Sequence, residues 1–149
     1  MPNRRILIVD DEADLMWLLK LNLECAAGYE ALECRRGAQA LALARDFRPE
    51  VVLLDVMLPD MDAGQVAAEL QGDPDLGRPV VVFMTDSSPR VAEPDAMAEH
   101  QTRIAKSACL SELIERIELL AGARELARAC RAVRDGLEAR GVLARERVA

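Results

Sequence analysis

The feature that most constrains the fold is the alternation of short apolar runs with segments of helical periodicity. The runs cover residues 6–9, 51–54, 80–83 and, more weakly, 102–105, and a further strand is expected at residues 30–34 despite its poor alternation. Strands that alternate with helices form parallel βαβ units, and apolar central strands are covered by helices on both faces. The chain is therefore predicted to be an α/β domain with an open, doubly wound parallel sheet.

Each predicted helix has an apolar stripe at intervals of three, four and seven residues, as one buried helix face requires. The expected inward residues, helix by helix, are Leu15, Leu18, Leu19 and Leu23, then Ala38, Leu41 and Ala42, then Val66, Ala67 and Leu70, and finally Leu110, Leu113, Ile114, Ile117 and Leu120. These faces are predicted to close the two sides of the sheet.

Composition and charge exclude several classes of protein. The apolar runs are too short to cross a bilayer, and the N-terminus shows no signal peptide, so a cytoplasmic protein is expected. A net charge of −7 argues against a general nucleic-acid-binding surface. Four cysteines without a C-x-x-C pair, beside one histidine, argue against a zinc site and are expected to be buried free thiols. The histidine, His100, lies in a polar segment and is not expected to transfer phosphate.

The end of the chain differs in charge from the rest. Residues 122–149 hold seven arginines against four acids, which leaves −10 on residues 1–121. We interpret residues 1–121 as the domain and 122–149 as an amphipathic helical extension with apolar residues at 4-3-4 spacing, namely Leu126, Cys130, Val133 and Leu137.

The extension has several possible roles. It could fold back on its own domain, or form a helix–helix seam with a partner or a second copy, to which the 4-3 stripe is suited. Binding of a membrane surface or nucleic acid through the arginines is disfavoured by the interspersed acids. The extension is too short for a winged-helix or helix-turn-helix domain, so direct transcriptional control is not expected.

Chemically active side chains follow the predicted strands. Asp10, Asp11 and Glu12 follow the first run, Asp55 follows the second central run, and Thr85 and Lys106 follow the last two. In a doubly wound sheet, ligands bind outside the carboxyl ends of the strands. Adjacent carboxylates repel one another unless a cation lies between them, and Mg²⁺ prefers such oxygen ligands. Asp55 could then act as a nucleophile toward phosphorus, with Lys106 and Thr85 contacting the phosphoryl oxygens.

Each of these residues also has a simpler interpretation. The acids of residues 10–14 suit a helix N-terminus, and Asp55 could form a turn before Leu58 and Pro59. A single lysine or threonine is most often only solvated. The combination favours a functional site, because independent turns have no reason to supply complementary groups on one rim.

In these motifs the chain resembles the receiver domain of bacterial response regulators over roughly residues 4–121. The matching segments are residues 6–12 (ILIVDDE), 51–59 (VVLLDVMLP), 83–85 (FMT) and Lys106, with 45 residues from Asp10 to Asp55, then 30 to Thr85 and 51 to Lys106. The resemblance implies a flavodoxin-like (βα)5 fold with strand order 2-1-3-4-5. It also implies a phosphoryl group accepted from the phosphohistidine of a sensor histidine kinase or phosphotransfer protein.

The resemblance further implies the role of each site residue. Asp55 would be the phosphoacceptor. Asp11 and Asp55 would bind Mg²⁺ directly, Asp10 would assist through water, and the backbone carbonyl of Met57 would complete the protein ligands. Thr85 would swing toward the phosphoryl group and Lys106 would pair with it. Such a protein catalyses its own phosphorylation and dephosphorylation but is not a turnover enzyme.

The chain also departs from the family pattern. The usual glycine is displaced from Ala63 to Gly64, which predicts a re-shaped loop. The remaining departures are Asp86 after the switch threonine, Arg103 at the usual aromatic position, Ser107 in place of proline, and Pro89 and Pro94 in the segment 87–100, which predict a short or irregular helix there. The acceptor set is thus intact, whereas the output mechanism is expected to be non-standard.

The rival functions belong to two classes, a pseudo-receiver and an enzyme. A pseudo-receiver would use the same fold as an unphosphorylated interaction module, and Mg²⁺ binding that depends on Asp55 would distinguish it. A haloacid-dehalogenase-like phosphatase needs a second aspartate two residues after the nucleophile, but Met57 occupies that position and cannot donate a proton. A dinucleotide-binding enzyme is disfavoured because no G-x-G-x-x-G follows the first strand.

Overall fold

The computed structural model describes residues 3–86 and 102–142. In chain order the elements are β1 (Arg5–Val9), α1 (Ala13–Ala27), β2 (Glu30–Cys34), α2 (Gly37–Phe47), β3 (Val51–Asp55), α3 (Ala63–Gly72), a 3-10 turn (Pro74–Leu76), β4 (Val80–Thr85), β5 (Thr102–Ala105) and α4 (Leu110–Ala139). The five predicted strands are all present, including the weakly patterned β2.

The strands form one parallel sheet in the order β2-β1-β3-β4-β5. This confirms the predicted doubly wound fold and strand order. In the register, Val9 lies opposite Leu54, and Asp55 lies opposite Met84. The strands therefore end close to one another at their carboxyl edge, which is where the candidate site residues follow them.

Helices cover both faces of the sheet. On one face, Ile6, Ile8 and Leu53 pack with buried residues of α1 and α4. On the other face, Leu7 and Phe83 pack with buried residues of α2 and α3. Because successive residues of a strand point to opposite faces, β1, β3 and β4 are buried throughout or nearly so, as predicted for central parallel strands.

The predicted inward face of α1 is partly wrong. Leu23 is buried, but Leu18 is 48% exposed, and Leu15 and Leu19 are only partly covered. Met16 and Ala27 complete the buried face instead. The predicted and the buried stripes share only Leu23, so packing against the sheet rotates the buried face away from the one that the periodicity indicated.

The predicted face of α2 is also wrong. Ala38 and Ala42 are exposed, Leu41 is half-buried, and the buried residues are Gly37, Ala40 and Ala44. A Cβ atom on Gly37 would lie 2.9 Å from Val66 of α3 and 3.0 Å from Met61. This close approach orients α2 about its axis. The predicted face of α3, in contrast, is buried as expected.

The last helix runs without interruption through the expected domain boundary at residue 122, from Leu110 to Ala139. Leu113, Ile117 and Ala121 are its buried residues, so the sheet covers only the first part of α4. Arg124 then donates hydrogen bonds to the carbonyls of Gly77 and Arg78, both at 2.8 Å.

The expectation of buried thiols is wrong for three of the four cysteines. All four are free, but Cys25, Cys109 and Cys130 are exposed, and burial applies to Cys34 alone. In the part of the chain that the structure describes, no helix is long and apolar enough to cross a membrane.

Candidate functional site

The candidate site lies at the carboxyl edge of the sheet. Asp10 directly follows β1, Asp55 and Thr85 are the last residues of β3 and β4, and Lys106 directly follows β5. Lys106 N donates to the carbonyl of Thr85 at 2.8 Å, which holds the ends of β4 and β5 together. The parallel topology thus brings four residues that are far apart in the sequence to one rim.

Lys106 is the centre of this cluster. Its ammonium nitrogen lies 3.1 Å from Oδ2 of Asp10 and 3.1 Å from Oδ2 of Asp55. It is also 3.3 Å from Oε1 of Glu12 and 3.7 Å from Oδ1 of Asp86. One ammonium group therefore faces four carboxylates, an excess of negative charge in a partly desolvated pocket.

Burial makes this arrangement costly. Asp10 is 0% and Asp55 is 2% exposed. Burial raises the pKa of the Asp10 carboxyl, and the charge of Asp55 adds to that effect, against the opposing Glu12 N–H and Lys106. Burial also opposes the charge of Lys106, but the interactions with the Asp10 and Asp55 carboxylates outweigh it and raise the pKa of the ammonium group. The pocket thus keeps its lysine charged.

The two buried aspartates are held in the same way. Asp10 Oδ1 accepts from Glu12 N at 2.9 Å, and Asp55 Oδ1 accepts from Met57 N at 3.0 Å. In each residue one carboxylate oxygen closes a local turn while the other faces Lys106. The turn-forming interpretation of Asp55 is therefore correct but does not exclude a functional one. A capping role for Glu12, the residue before α1, is not supported, because its side chain makes no capping hydrogen bond.

The site has the donor set for a hard divalent cation. Ligand oxygens of Asp10, Asp11 and Asp55 lie within 4.8 Å of one another. Oδ2 of Asp10 is buried and lacks a properly oriented hydrogen bond, although the Lys106 ammonium is close. Since Mg²⁺ binds through a few carboxylates and keeps several waters, these three oxygen donors fit it.

The remaining predicted site residues take less central places. Thr85 is half-buried at the end of β4, and the side chain of Met57 is 70% exposed beside the rim. Asp86 has a side chain that is 72% exposed, yet it stays within ion-pair distance of Lys106. Arg103 is exposed, and Ala63 begins α3 with Asp62 as its capping residue. The predicted irregular helix of residues 87–100 lies outside the described residues.

Sequence reasoning missed how the rim is held together on its other side. Oδ1 and Oδ2 of Asp60 accept hydrogen bonds from Gly37 N and Ala38 N, both at 3.1 Å. These bonds lower the pKa of the Asp60 carboxyl and tie the loop after β3 to the start of α2. The local sequence signal for this contact is Arg36, the residue before α2, which offers no side-chain cap and leaves the first N–H groups of the helix to another acceptor.

Comparisons with known proteins agree with this architecture. The family model described as the response regulator receiver domain matches residues 6–118. The alkaline phosphatase synthesis transcriptional regulatory protein PhoP of Bacillus subtilis is 41% identical over 69 residues, which are 46% of this chain and 28% of that protein. The transcriptional regulatory protein KdpE of Mycobacterium tuberculosis is 40% identical over 96 residues, 63% of this chain and 41% of that protein.

A solved structure shows the same fold. The receiver domain of the sensor histidine kinase PA1611 of Pseudomonas aeruginosa, described with a magnesium ion in its active site cleft, has a TM-score of 0.69 at 20% identity, over 81% of this chain and 99% of that one.

Because the family model spans most of the chain, the protein belongs to the response regulator receiver domain family of two-component systems. The chain spans less than half the length of the two curated relatives.

Proposed function

We propose that this receiver domain accepts a phosphoryl group on Asp55. The observation that carries the proposal is the position of Oδ2 of Asp55, 3.1 Å from the Lys106 ammonium inside a cluster of three carboxylates. A carboxylate at the end of a central strand, next to one fixed positive charge and a cation site, has the surroundings of an aspartyl nucleophile.

Each residue of the site would contact either the cation or a different phosphoryl oxygen, according to its position. Asp10, Asp11 and Asp55, with the Met57 carbonyl, would hold Mg²⁺, which when bound supplies positive charge to the transferred phosphoryl oxygens. Lys106 would contact an oxygen on the other side, since its ammonium already lies beside Asp55. The hydroxyl of Thr85 would donate to a further oxygen from the end of β4.

The phosphoryl donor would be the phosphohistidine of a sensor histidine kinase or phosphotransfer protein. A carboxylate oxygen of Asp55 attacks phosphorus while the phosphorus–nitrogen bond of the donor breaks. The electron pair of that bond stays on the imidazole nitrogen, which takes up a proton. Water later attacks the acyl phosphate and releases inorganic phosphate, so Asp55 is restored and the domain acts as a self-modifying acceptor, not as a turnover enzyme.

We place this activity in the cytoplasm and assign its output to protein–protein contacts. Among the described residues, the segment after the sheet is the single helix α4. The two curated relatives are transcriptional regulators, and the chain corresponds to less than half of each. Within this chain, the surfaces that we assign to such contacts are the rim and α4.

The test is the intact mass of the protein after incubation with acetyl phosphate and Mg²⁺. We expect a gain of one phosphoryl group, absent in Asp55→Asn and absent when Mg²⁺ is chelated. Asp11→Asn serves as a matched control: it keeps Asp55 but removes a proposed cation ligand, so it should require more Mg²⁺ for the same labelling.

One contact favours a second candidate, the unphosphorylated pseudo-receiver. Asp86 adds a carboxylate 3.7 Å from Lys106, where an incoming phosphoryl group would meet like charge. If the native chain gains no mass but Asp86→Ala does, Asp86 blocks the acceptor and the pseudo-receiver is the better description. If neither is labelled, the proposal for Asp55 is wrong.

A further inference from the structure

Among the described residues, helix α4 carries an apolar stripe that the rest of the domain leaves largely uncovered. Leu119, Leu126 and Val133 are spaced by seven residues and are 69%, 67% and 63% exposed. Cys130 is exposed as well. We name the stripe the seam and define it by a heptad pattern with apolar residues at alternating steps of four and three, namely Leu119, Ala123, Leu126, Cys130, Val133 and Leu137.

The seam faces away from the sheet. With about 100° of rotation per residue, the seam lies on the side of the helix opposite Leu113, Ile117 and Ala121, which are buried. One flank of the seam consists of Gly122, Ala129 and Gly136, again spaced by seven. Small side chains along a flank allow a second helix to approach closely.

The helix that carries the seam is held firmly at its domain end. Arg4 is 4% exposed and donates hydrogen bonds to Glu118 at 2.9 and 3.0 Å and to Glu125 at 2.7 Å. On the adjacent side, Arg124 bonds to the carbonyls of Gly77 and Arg78. The direction of α4 is thereby set by the domain, so the seam is presented as a rigid surface and not as a loose tail.

The charge distribution along the chain indicates which partner covers the seam. Residues 122–149 carry +3 and residues 1–121 carry −10. Within α4 the division has the same sign but is smaller: residues 110–121 hold three glutamates and one arginine, whereas residues 122–139 hold four arginines and three acids. Two parallel helices would place basic next to basic and acidic next to acidic, but two antiparallel helices place each basic end beside the acidic end and acidic domain of the other.

We propose that the seam is the dimerisation surface of this protein and binds the seam of a second copy in antiparallel orientation. The pairing that aligns the seam about its centre places Leu126 against Cys130 of the second copy, Ala123 against Val133 and Leu119 against Leu137. Each layer then occurs twice about a two-fold axis, as in an isologous dimer. This association does not depend on phosphoryl transfer.

The first test is oligomeric state by size-exclusion chromatography with light scattering. The native chain is expected to be dimeric, and Leu126→Glu is expected to weaken association at least about ten-fold, since it places a charge in an apolar layer. Ala139→Glu is the matched control, because it adds the same charge on an exposed residue of α4 outside the seam. A native chain that remains monomeric at about 100 µM, or equal effects of the two variants, would overturn the proposal.

Asp55→Asn separates this inference from the proposed function. It should dimerise as the native chain does, even though it accepts no phosphoryl group. Leu126→Glu and Ala139→Glu replace exposed residues, and the circular dichroism of all three variants should match the native spectrum.

The second test determines orientation by disulfide trapping with oxidised glutathione, in chains where Cys25 and Cys109 are replaced by serine. One chain keeps Cys130, and the other carries Leu126→Cys with Cys130→Ser. In the antiparallel pairing, covalent dimers form only when the two chains are mixed, because residue 126 faces residue 130 of the second copy. Covalent dimers formed by each chain alone would indicate a parallel pair and overturn the proposed orientation.

Discussion

The two ends of the sheet each hold one cation among several carboxylates. They differ in whether buried carboxylate oxygens are left without a hydrogen bond. At the amino end, Arg4 contacts three glutamates from two parts of the chain, Glu50 before β3 and two residues of α4. At the carboxyl end, Lys106 meets acids from the ends of three strands and the start of α1. The comparison separates a structural ion cluster from a site that has capacity left for a ligand.

The Arg4 guanidinium finds its hydrogen-bond acceptors within its own cluster. The guanidinium contacts both oxygens of Glu118 and one oxygen each of Glu50 and Glu125. Tyr29 also donates its hydroxyl hydrogen to Glu118. A planar guanidinium matches carboxylates in fixed geometry, and the glutamates retain contact with solvent, with side chains 28% to 55% exposed. No further ion is required for this arrangement to be stable.

In the Lys106 site, two carboxylates are more deeply buried than the cation, whereas in the Arg4 cluster the cation is the most deeply buried charged group. Here the carboxylates of Asp10 and Asp55 are almost fully buried, and the cation is a compact ammonium group. Oδ2 of Asp10 lacks a properly oriented hydrogen bond, and Asp11 extends the cluster at its exposed side. Buried carboxylates with unused lone pairs favour a bound cation, which solvated glutamates do not. The difference is the reason why we propose the carboxyl end as the phosphoacceptor site.

The largest effect that would test this contrast is expected for Lys106→Met. Removal of the ammonium group should slow labelling by acetyl phosphate about 100-fold, because one phosphoryl oxygen loses its charged donor. The same variant should bind Mg²⁺ more tightly than the native chain, since a competing positive charge has left the carboxylates. Labelling is followed by intact mass and Mg²⁺ binding by calorimetry. Weaker Mg²⁺ binding would show that Lys106 organises the cation site instead of competing with it.

A smaller, purely structural effect is expected for Arg4→Met at the other end. It should lower the free energy of unfolding by about 2 kcal/mol, because the three glutamates lose their shared partner but regain some solvation. Urea denaturation measures the loss, and Mg²⁺ affinity should stay unchanged. The neighbouring exposed Arg5→Met is the control and should cost less than about 0.5 kcal/mol. A loss of Mg²⁺ binding in Arg4→Met would couple the two ends and contradict their separation.

The smallest effect concerns acid. The hydrogen bonds from Arg4 hold the pKa of the Glu118 carboxyl below its ordinary value of 4.5. Its stabilising contribution is therefore present above pH 4.5 and is lost as the pH falls through the lowered pKa. Between pH 7 and pH 4, the native chain should lose up to about 1 kcal/mol more stability than Arg4→Met does, a small amount because Glu118 is partly exposed. Equal losses in both chains, measured by urea denaturation, would mean that Arg4 does not lower this pKa.

Much of the fold and of the rim follows from local patterns. Apolar runs without alternation can be buried on both faces only in a parallel sheet, and a parallel sheet collects all strand ends at one edge. That is why Asp10, Asp55, Thr85 and Lys106 could be placed together before any contact was known. Their roles in phosphoryl transfer remain the prediction that the labelling experiment tests.

Other features depend on contacts that no local pattern encodes. The buried faces of α1 and α2 were assigned wrongly. Periodicity marks apolar positions along a helix, whereas the neighbouring sheet and α3 decide which side of the helix is buried. The exposure of Cys25 and Cys130 has the same origin, since a thiol can occupy either side of a helix. The Asp60 cap on α2 joins residues more than 20 positions apart, which only the folded chain brings together.

The sequence by itself thus determined the order of the elements, the parallel sheet and the edge at which the acids gather, because these depend on local periodicity and on chain connectivity. Only the tertiary structure decided that Lys106 lies between Asp10 and Asp55. It also decided that Arg4 is buried among glutamates 46, 114 and 121 residues away, and that α4 continues past its domain with an uncovered seam. Distances and burial of this kind arise when separate segments pack against one another, and spacing along the chain carries no information about them.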